Sequence, residues 1–299
     1  MSKKALDKHP SEIFGCPYCD TSSDLRENIK QQYCPFIRAT CVKPRKSEPH
    51  IKVGICSLWY KGKSSDEVKP VIICPQRFKE DAMFNAIRKQ YLSHWDNIEW
   101  IPEVNIGIGG SVDYVAITTN KAGEIIDFFC VELQAAGTTG SPYQAIRDIM
   151  QTGKMASNTY NFGINWANEY SKTMMQQAYK KGKILNHWKR KIVFVIQDVG
   201  MSYLNSSTDT SKIVTSNKDM PVDFCTFKME MDTSQKKWVL KFDKIYSTDI
   251  DGINLMLGGA KVDMYLTEQD FTQNIIRKGI AEKILKKELY AKYLSDTGA

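Results

Sequence analysis

Up to residue 80 the chain shows no long periodic run of apolar positions. Cys, Pro and Lys are frequent there, and the stretch reads as a small loop-rich region that needs a staple. In residues 81–94, DAMFNAIRKQYLSH, the apolar Met83, Phe84, Ile87 and Leu92 follow an early Asp81, which predicts a helix leading into the main domain. The rhythm then becomes that of strands. Two short β runs in 99–119 flank Gly107, Gly109 and Gly110, as in a hairpin. Residues 124–136, EIIDFFCVELQAA, are nearly continuous in apolar side chains and predict a strand internal to a sheet.

After the turn GTTGSP (137–142), helices are expected over 143–155 and 165–182, and KIVFVIQD (191–198) reads as a buried strand. Strand, helices, strand is a crossover unit, so a parallel pair should lie beside the antiparallel hairpin. In KKWVLKFDKIYS (236–247), Trp238, Leu240 and Phe242 alternate with polar neighbours, as on a half-exposed edge strand. Residues 204–220 read as an exposed loop, and 270–294 carry Ile276, Ile280 and Ile284 at helical spacing. The fold class expected is α/β: a central mixed β-sheet flanked by helices over 81–299, with a small cysteine-rich subdomain over 1–80.

The 299 residues suit one large domain with such an appendage. The N-terminal lysines have no apolar segment behind them, and no apolar run approaches the roughly 20 residues that span a bilayer. A cytoplasmic protein without a membrane anchor is expected. The net charge of +7 matters mainly through its placement, in clusters at 43–46, 180–191 and 277–292. Such clusters suit a polyanion, because each Lys or Arg against a phosphate releases counterions. Solvated faces of Lys-rich helices produce the same pattern.

The candidate chemistry begins with carboxylates. Glu132 and Gln134 are two apart on a predicted strand and share a face. Asp113 lies on the preceding strand, so antiparallel pairing would bring it opposite Glu132, and Glu103, one strand earlier, could join them. Converging carboxylates repel unless a divalent cation sits between them, and Mg²⁺ prefers such hard oxygen ligands. A metal there would polarise a phosphoryl oxygen and supply a hydroxide nucleophile, with Gln134 orienting the water. A strand ending in Glu-x-Gln is common, and an Asp after a Gly turn is often turn chemistry. Against that, an unpaired Glu behind an apolar run is costly to bury. The four His are dispersed, which argues against a His-based nuclease motif.

Six of the eight cysteines fall within residues 16–74, and in a reducing compartment a dense patch points to a metal site before a disulfide framework. Cys16 and Cys19 have the spacing of a zinc knuckle, but no second C-x-x-C pair follows. Cys130, inside a strand, reads as a small buried hydrophobe.

The order Asp113, then Glu132-x-Gln134, resembles the PD-(D/E)XK nuclease site with Gln in place of the usual Lys. More narrowly, EVNIGIGGSVDYVAI (103–117) and VELQAAGTTGS (131–141) resemble the NotI-like restriction endonucleases. So do the cysteine segments CPFIRATCVK, GICSLW and VIICPQRF and the stretch 157–182. The resemblance implies a PD-(D/E)XK core in which Asp113 and Glu132 hold a catalytic Mg²⁺, Gln134 fills the lysine slot and Glu103 is the additional acid. It further implies that Cys34, Cys41, Cys56 and Cys74 form a tetrahedral thiolate site. Iron occupies that site in the family, and zinc would suit the same ligands. Four thiolates leave no open position, so this site would be structural.

Ile164, Ala167, Tyr170, Met174 and Ala178 recur as one helix face packed on the sheet, with Lys172, Lys180 and Lys181 placed elsewhere and able to reach phosphates. Thr138, Thr139 and Ser141 beyond the catalytic strand, with Arg147, Lys154 and Lys172, are expected to contact the DNA backbone. The activity implied is that of a type II restriction endonuclease. It would act as a homodimer on double-stranded DNA at a short palindrome, with Mg²⁺, leaving 5′-phosphate ends. Two alternatives remain open: a PD-(D/E)XK nuclease of repair or a mobile element that cuts without a fixed sequence, and a non-catalytic, metal-stabilised DNA-binding protein.

Overall fold

The computed structural model describes residues 8–18, 23–45, 47–61, 67–154, 160–258, 267–286 and 288. One compact unit runs to Gly259 and a second begins at Ala260. The first opens with β1 (Pro10–Ile13), β2 (Cys16–Pro17) and α1 (Ser23–Gln31). Two short ladders follow, β3 (Tyr33–Cys34) with β4 (Ala39–Thr40) and β5 (Pro44–Arg45) with β6 (Glu48–Lys52). With β7 (Ile55–Lys61) and β8 (Val68–Ile72), β1 and β2 make an antiparallel sheet of order β2-β1-β7-β8. The sequence predicts loops here, and the structure corrects that. The first four residues of β7 are all buried, so no polar alternation advertises the strand.

The hairpin predicted from the Gly-rich turn is present. After α2 (Asp81–Tyr91) come β9 (Glu99–Asn105), β10 (Ser111–Thr119) and β11 (Ile125–Gln134), paired antiparallel. Gly107 and Gly110 take φ of 78° and 82° in the first turn, a region open to glycine with little penalty. The crossover consists of β12 (Thr138–Thr139), α3 (Tyr143–Thr152), β13 (Gly163–Ile164), a π-helical segment Ala167–Met174 and α4 (Met175–His187). It delivers β14 (Ile192–Gln197) parallel to β11, as the crossover pattern requires.

Beyond β14 lie α5 (Asp198–Ser207), β15 (Val214–Thr215), β16 (Val222–Asp232), β17 (Lys237–Thr248) and α6 (Ile250–Leu257). The stretch expected as a loop over 204–220 therefore begins in α5 and contains a strand paired with β17. The sequence reading also left α6 and β16 unassigned. The main sheet has seven strands in the order β15-β17-β16-β14-β11-β10-β9, with β11, β14 and β16 parallel. In the second unit, α7 (Glu268–Ala281) matches the first part of the predicted C-terminal helix.

Alternate residues of β14 divide the core in two. Ile192, Phe194 and Ile196 pack with Met174, Met175, Ala178 and Leu185 from the crossover and with Met201, Leu204, Ile253 and Met256. Val193 and Val195 pack with Met83, Ile87 and Leu92 of the α2 region. Every residue of β14 is buried, which accounts for the apolar run from Ile192 to Ile196. Gly200 of α5 is needed for close approach, since a Cβ there would lie 2.4 Å from the ring of buried Tyr170.

The N-terminal sheet is locked to the main one by polar contacts. The Gln197 side chain accepts from the Ile72 N–H at 2.8 Å and donates to the Pro70 carbonyl at 2.7 Å. Buried Arg77 donates to Glu12 Oε2 at 2.6 Å and to the Trp238 carbonyl at 3.0 Å, and lies 2.7 Å from Glu80 Oε1. The boundary expected at residue 80 falls within the first unit. Among the described residues, no helix is long and apolar enough to cross a membrane, which says nothing about β-barrels.

Candidate active site

The β10–β11 ladder runs from Thr119 and Ile125 to the pair Tyr114 and Val131, and the next position in register sets Asp113 opposite Glu132. Here the carboxylates bond across to the backbone. Asp113 Oδ2 accepts the Leu133 N–H at 2.8 Å, and the Glu132 carboxylate accepts the N–H of Asp113. Both residues sit on the sheet face that carries Val115 and Cys130, toward α4.

Glu132 is only 4% exposed, and its partner is a residue from the crossover. Lys181 of α4, 3% exposed, places Nζ 2.6 Å from Glu132 Oε1. The same ammonium donates to the Ser111 carbonyl at 2.7 Å and to Gln177 Oε1 at 3.2 Å. Burial and, less strongly, the Asp113 charge raise the Glu132 carboxyl while Lys181 lowers it, and the balance puts it up at about 7.

These groups line a cleft of about 590 Å³, together with Ile108, Gly109 and Gly110 from the hairpin turn and Thr173, Gln176 and Lys180 from the helix. Gln134 is in the lining too, with its amide donating to the Ala135 carbonyl at 2.8 Å. The expected meeting of Asp113, Glu132 and Gln134 is thus present. Glu103 is positioned across from Asp113 on β9, but it is exposed, has φ 54° and does not line the cleft.

Lys181 departs from its expected place. The helix face that carries Met174 and Ala178 continues through Lys181 to Leu185, so the spacing alone puts this lysine among buried neighbours.

Of the residues expected to reach DNA, Lys180 lines the cleft, while Thr138, Thr139, Ser141, Arg147, Lys154 and Lys172 lie outside its lining. Thr138 and Thr139 form β12, where Thr139 Oγ1 accepts the Gly163 N–H at 3.1 Å, and Ser141 Oγ accepts the Tyr143 N–H at 3.3 Å. Arg147 pairs with Gln144 on the exposed side of α3, and Lys172 is exposed on the π-helical segment. Lys154 lies at a separate, mainly apolar cavity of about 1010 Å³ that contains none of the acidic candidates.

Cys34, Cys41, Cys56 and Cys74 together line one small cavity of about 10 Å³, with Phe14, Gly54, Ile55 and Gln76. All four thiols are buried, and burial pushes Cys34, Cys56 and Cys74 up, so a thiolate there needs a cation beside it. Four cysteines around one small cavity are the donor type that a soft metal ion takes. The side chains are not drawn in around one: among the described residues no group of three or more His, Cys, Asp or Glu is placed so that it could hold a metal ion. Cys16 is half-buried and Cys19 lies outside the described residues. Cys130 is buried within β11, as expected.

A mixed α/β sheet that presents two facing carboxylates in an open polar cleft is compatible with the core of a nuclease. The family described as Restriction endonuclease NotI matches residues 22–238, well over half of the chain. The chain belongs to the NotI restriction endonuclease family and is a type II site-specific deoxyribonuclease. No match to an individual curated protein was found.

Proposed function

We propose that the chain hydrolyses both strands of DNA at a short palindrome, with Mg²⁺ held by Asp113 and Glu132 in a PD-(D/E)XK-type site. The observation that carries this reading is the pair itself. Two carboxylates from adjacent strands face each other at the end of a ladder, in a cleft open to solvent. Bound there, Mg²⁺ supplies a Lewis acid for the phosphoryl oxygen and a hydroxide near neutral pH. Gln134 orients the attacking water through its amide. Asp113 and Glu132 each accept a backbone N–H, which holds both side chains at the mouth of the proposed site. Glu103 stands ready only as an outer acid.

DNA is far larger than the cleft, and Thr138, Thr139, Ser141, Arg147, Lys154 and Lys172 are assigned to its flanking backbone. Cys34, Cys41, Cys56 and Cys74 hold iron or zinc as a staple for a subdomain over residues 1–80. The enzyme acts in the cytoplasm as a homodimer whose two-fold axis mirrors that of the site, and it leaves 5′-phosphate ends.

The test uses purified protein with phage DNA. Discrete fragments are expected with Mg²⁺, none with D113N, and D113N should still bind DNA in Ca²⁺. Intact DNA in both Mg²⁺ and Mn²⁺, or cleavage by D113N, overturns the reading.

A further inference from the structure

In this chain an uncharged Gln134 stands where the related motif has a lysine, and its amide is engaged with the Ala135 carbonyl. Strand β11 therefore brings no cation to the carboxylates. The cleft nevertheless contains a buried ammonium, and it comes from α4. Lys181 has three N–H donors and three acceptors within hydrogen-bond distance: Glu132 Oε1, the Ser111 carbonyl and Gln177 Oε1. No donor is left over for a substrate, which fixes what this residue can do.

We propose that Lys181 is a positioning residue for the catalytic site: from α4 it supplies the cation that strand β11 lacks, holding Glu132 beside Asp113 and tying β10, β11 and α4 together there. The inference rests on the reading of Asp113 and Glu132 as the metal-binding pair.

Two further observations support it. Ser111 lies two residues before Asp113 on β10, so one ammonium bridges both strands that carry the pair. The hairpin turn packs directly on Lys181, because a Cβ at Gly109 would lie 3.3 Å from its Cγ and 2.8 Å from Ile106. Turn and helix together thus hold the lysine stem while its head meets the carboxylate. A solvated lysine on a DNA-binding face would be exposed, and this one is 3% exposed.

The test compares wild-type protein, D113N, K181M and K181R. Partners that orient metal ligands typically contribute about 10–100-fold to activity, and K181M should lose that much of its single-turnover cleavage rate at saturating DNA and Mg²⁺. Its affinity for the same DNA in Ca²⁺ should stay within about 3-fold, since Lys181 does not reach the surface. K181R should recover most of the rate.

A measurement without metal or DNA checks the pair itself: K181M should unfold at lower urea than wild type, and K181M/E132Q at higher urea than K181M. If K181M is too unstable to assay, K181Q, which keeps a donor without the charge, is read the same way. K181M cleaving at the wild-type rate while D113N is dead overturns the role of Lys181 alone. So does K181M/E132Q unfolding no later than K181M. Cleavage by D113N overturns the underlying site instead.

Discussion

Arg77 links the cysteine-bearing region to the sheet that carries the candidate active site, and removing its charge should have a cost that grows with pH. The side chain is fully buried. It touches Glu12 Oε2 at 2.6 Å and the Trp238 carbonyl at 3.0 Å, and it stacks 4.6 Å over the Phe36 ring. Its Nη1 approaches Glu80 as an ion pair without hydrogen-bond geometry. In R77M the Trp238 carbonyl and Glu12 lose their donor, at about 1–3 kcal/mol for each unsatisfied group.

The charge adds a second part. Burial pushes the Glu12 carboxyl up to about 7 while Arg77 pulls it down, so without Arg77 it must titrate higher still. A carboxyl whose folded pKa is raised contributes less stability as pH rises from its unfolded value to its folded one. Wild type stops losing stability from this group near pH 7, whereas R77M continues to lose about 1.4 kcal/mol per unit above it. By pH 9 the total should reach the roughly 3–5 kcal/mol typical of a broken buried pair.

Urea unfolding followed by tryptophan fluorescence at pH 6, 7, 8 and 9 measures this directly, since Trp59 and Trp238 sit edge-to-face beside the network. The double variant R77M/E12Q has no carboxyl at position 12 and should show no growing deficit. A deficit for R77M that stays constant from pH 6 to 9 would refute the argument.

Other expectations concern the two proposed metal sites. Glu132 must shed a proton to bind a cation, so the Mg²⁺ concentration giving half-maximal cleavage should rise about tenfold per unit below pH 7 and level off above it. A Mg²⁺ requirement unchanged from pH 5.5 to 8 would show that Glu132 is not a ligand. If the cysteine cavity holds a metal, wild-type protein should contain iron or zinc by elemental analysis, and C56S should contain less and melt at lower temperature. Undiminished metal content in C56S would remove that cavity from consideration.

The carboxylate pair was legible in the sequence because strand alternation and a Gly-rich turn fix a hairpin register almost by themselves. β14 was legible for a related reason: Ile192–Ile196 are covered on both faces and all apolar, and the one polar residue, Gln197, has its side chain hydrogen-bonded at the end. Lys181 was misplaced because residue type was weighed above period. A lysine on an apolar helix face is counted as solvated until the carboxylate it meets, brought from another strand, is known. In the N-terminal region the strands are two to seven residues long, too short for a period to emerge. Helix α5 hides for another reason, since DVGMSYLNSS is rich in residues that favour turns and its Gly200 is fixed by contact with Tyr170.

The two acids and the lysine that meets Glu132 reach the candidate site by different routes. Asp113 and Glu132 belong to one hairpin, while Lys181 follows Glu132 by 49 residues and returns only through the crossover. On a chain still being synthesised, the hairpin emerges with two unneutralised acids, and pairing of distant parallel strands is slow compared with local closure. The last part of the proposed site to arrive is thus the one that depends on the whole crossover having folded. A truncated or half-made chain carries the acids without the lysine that seats them.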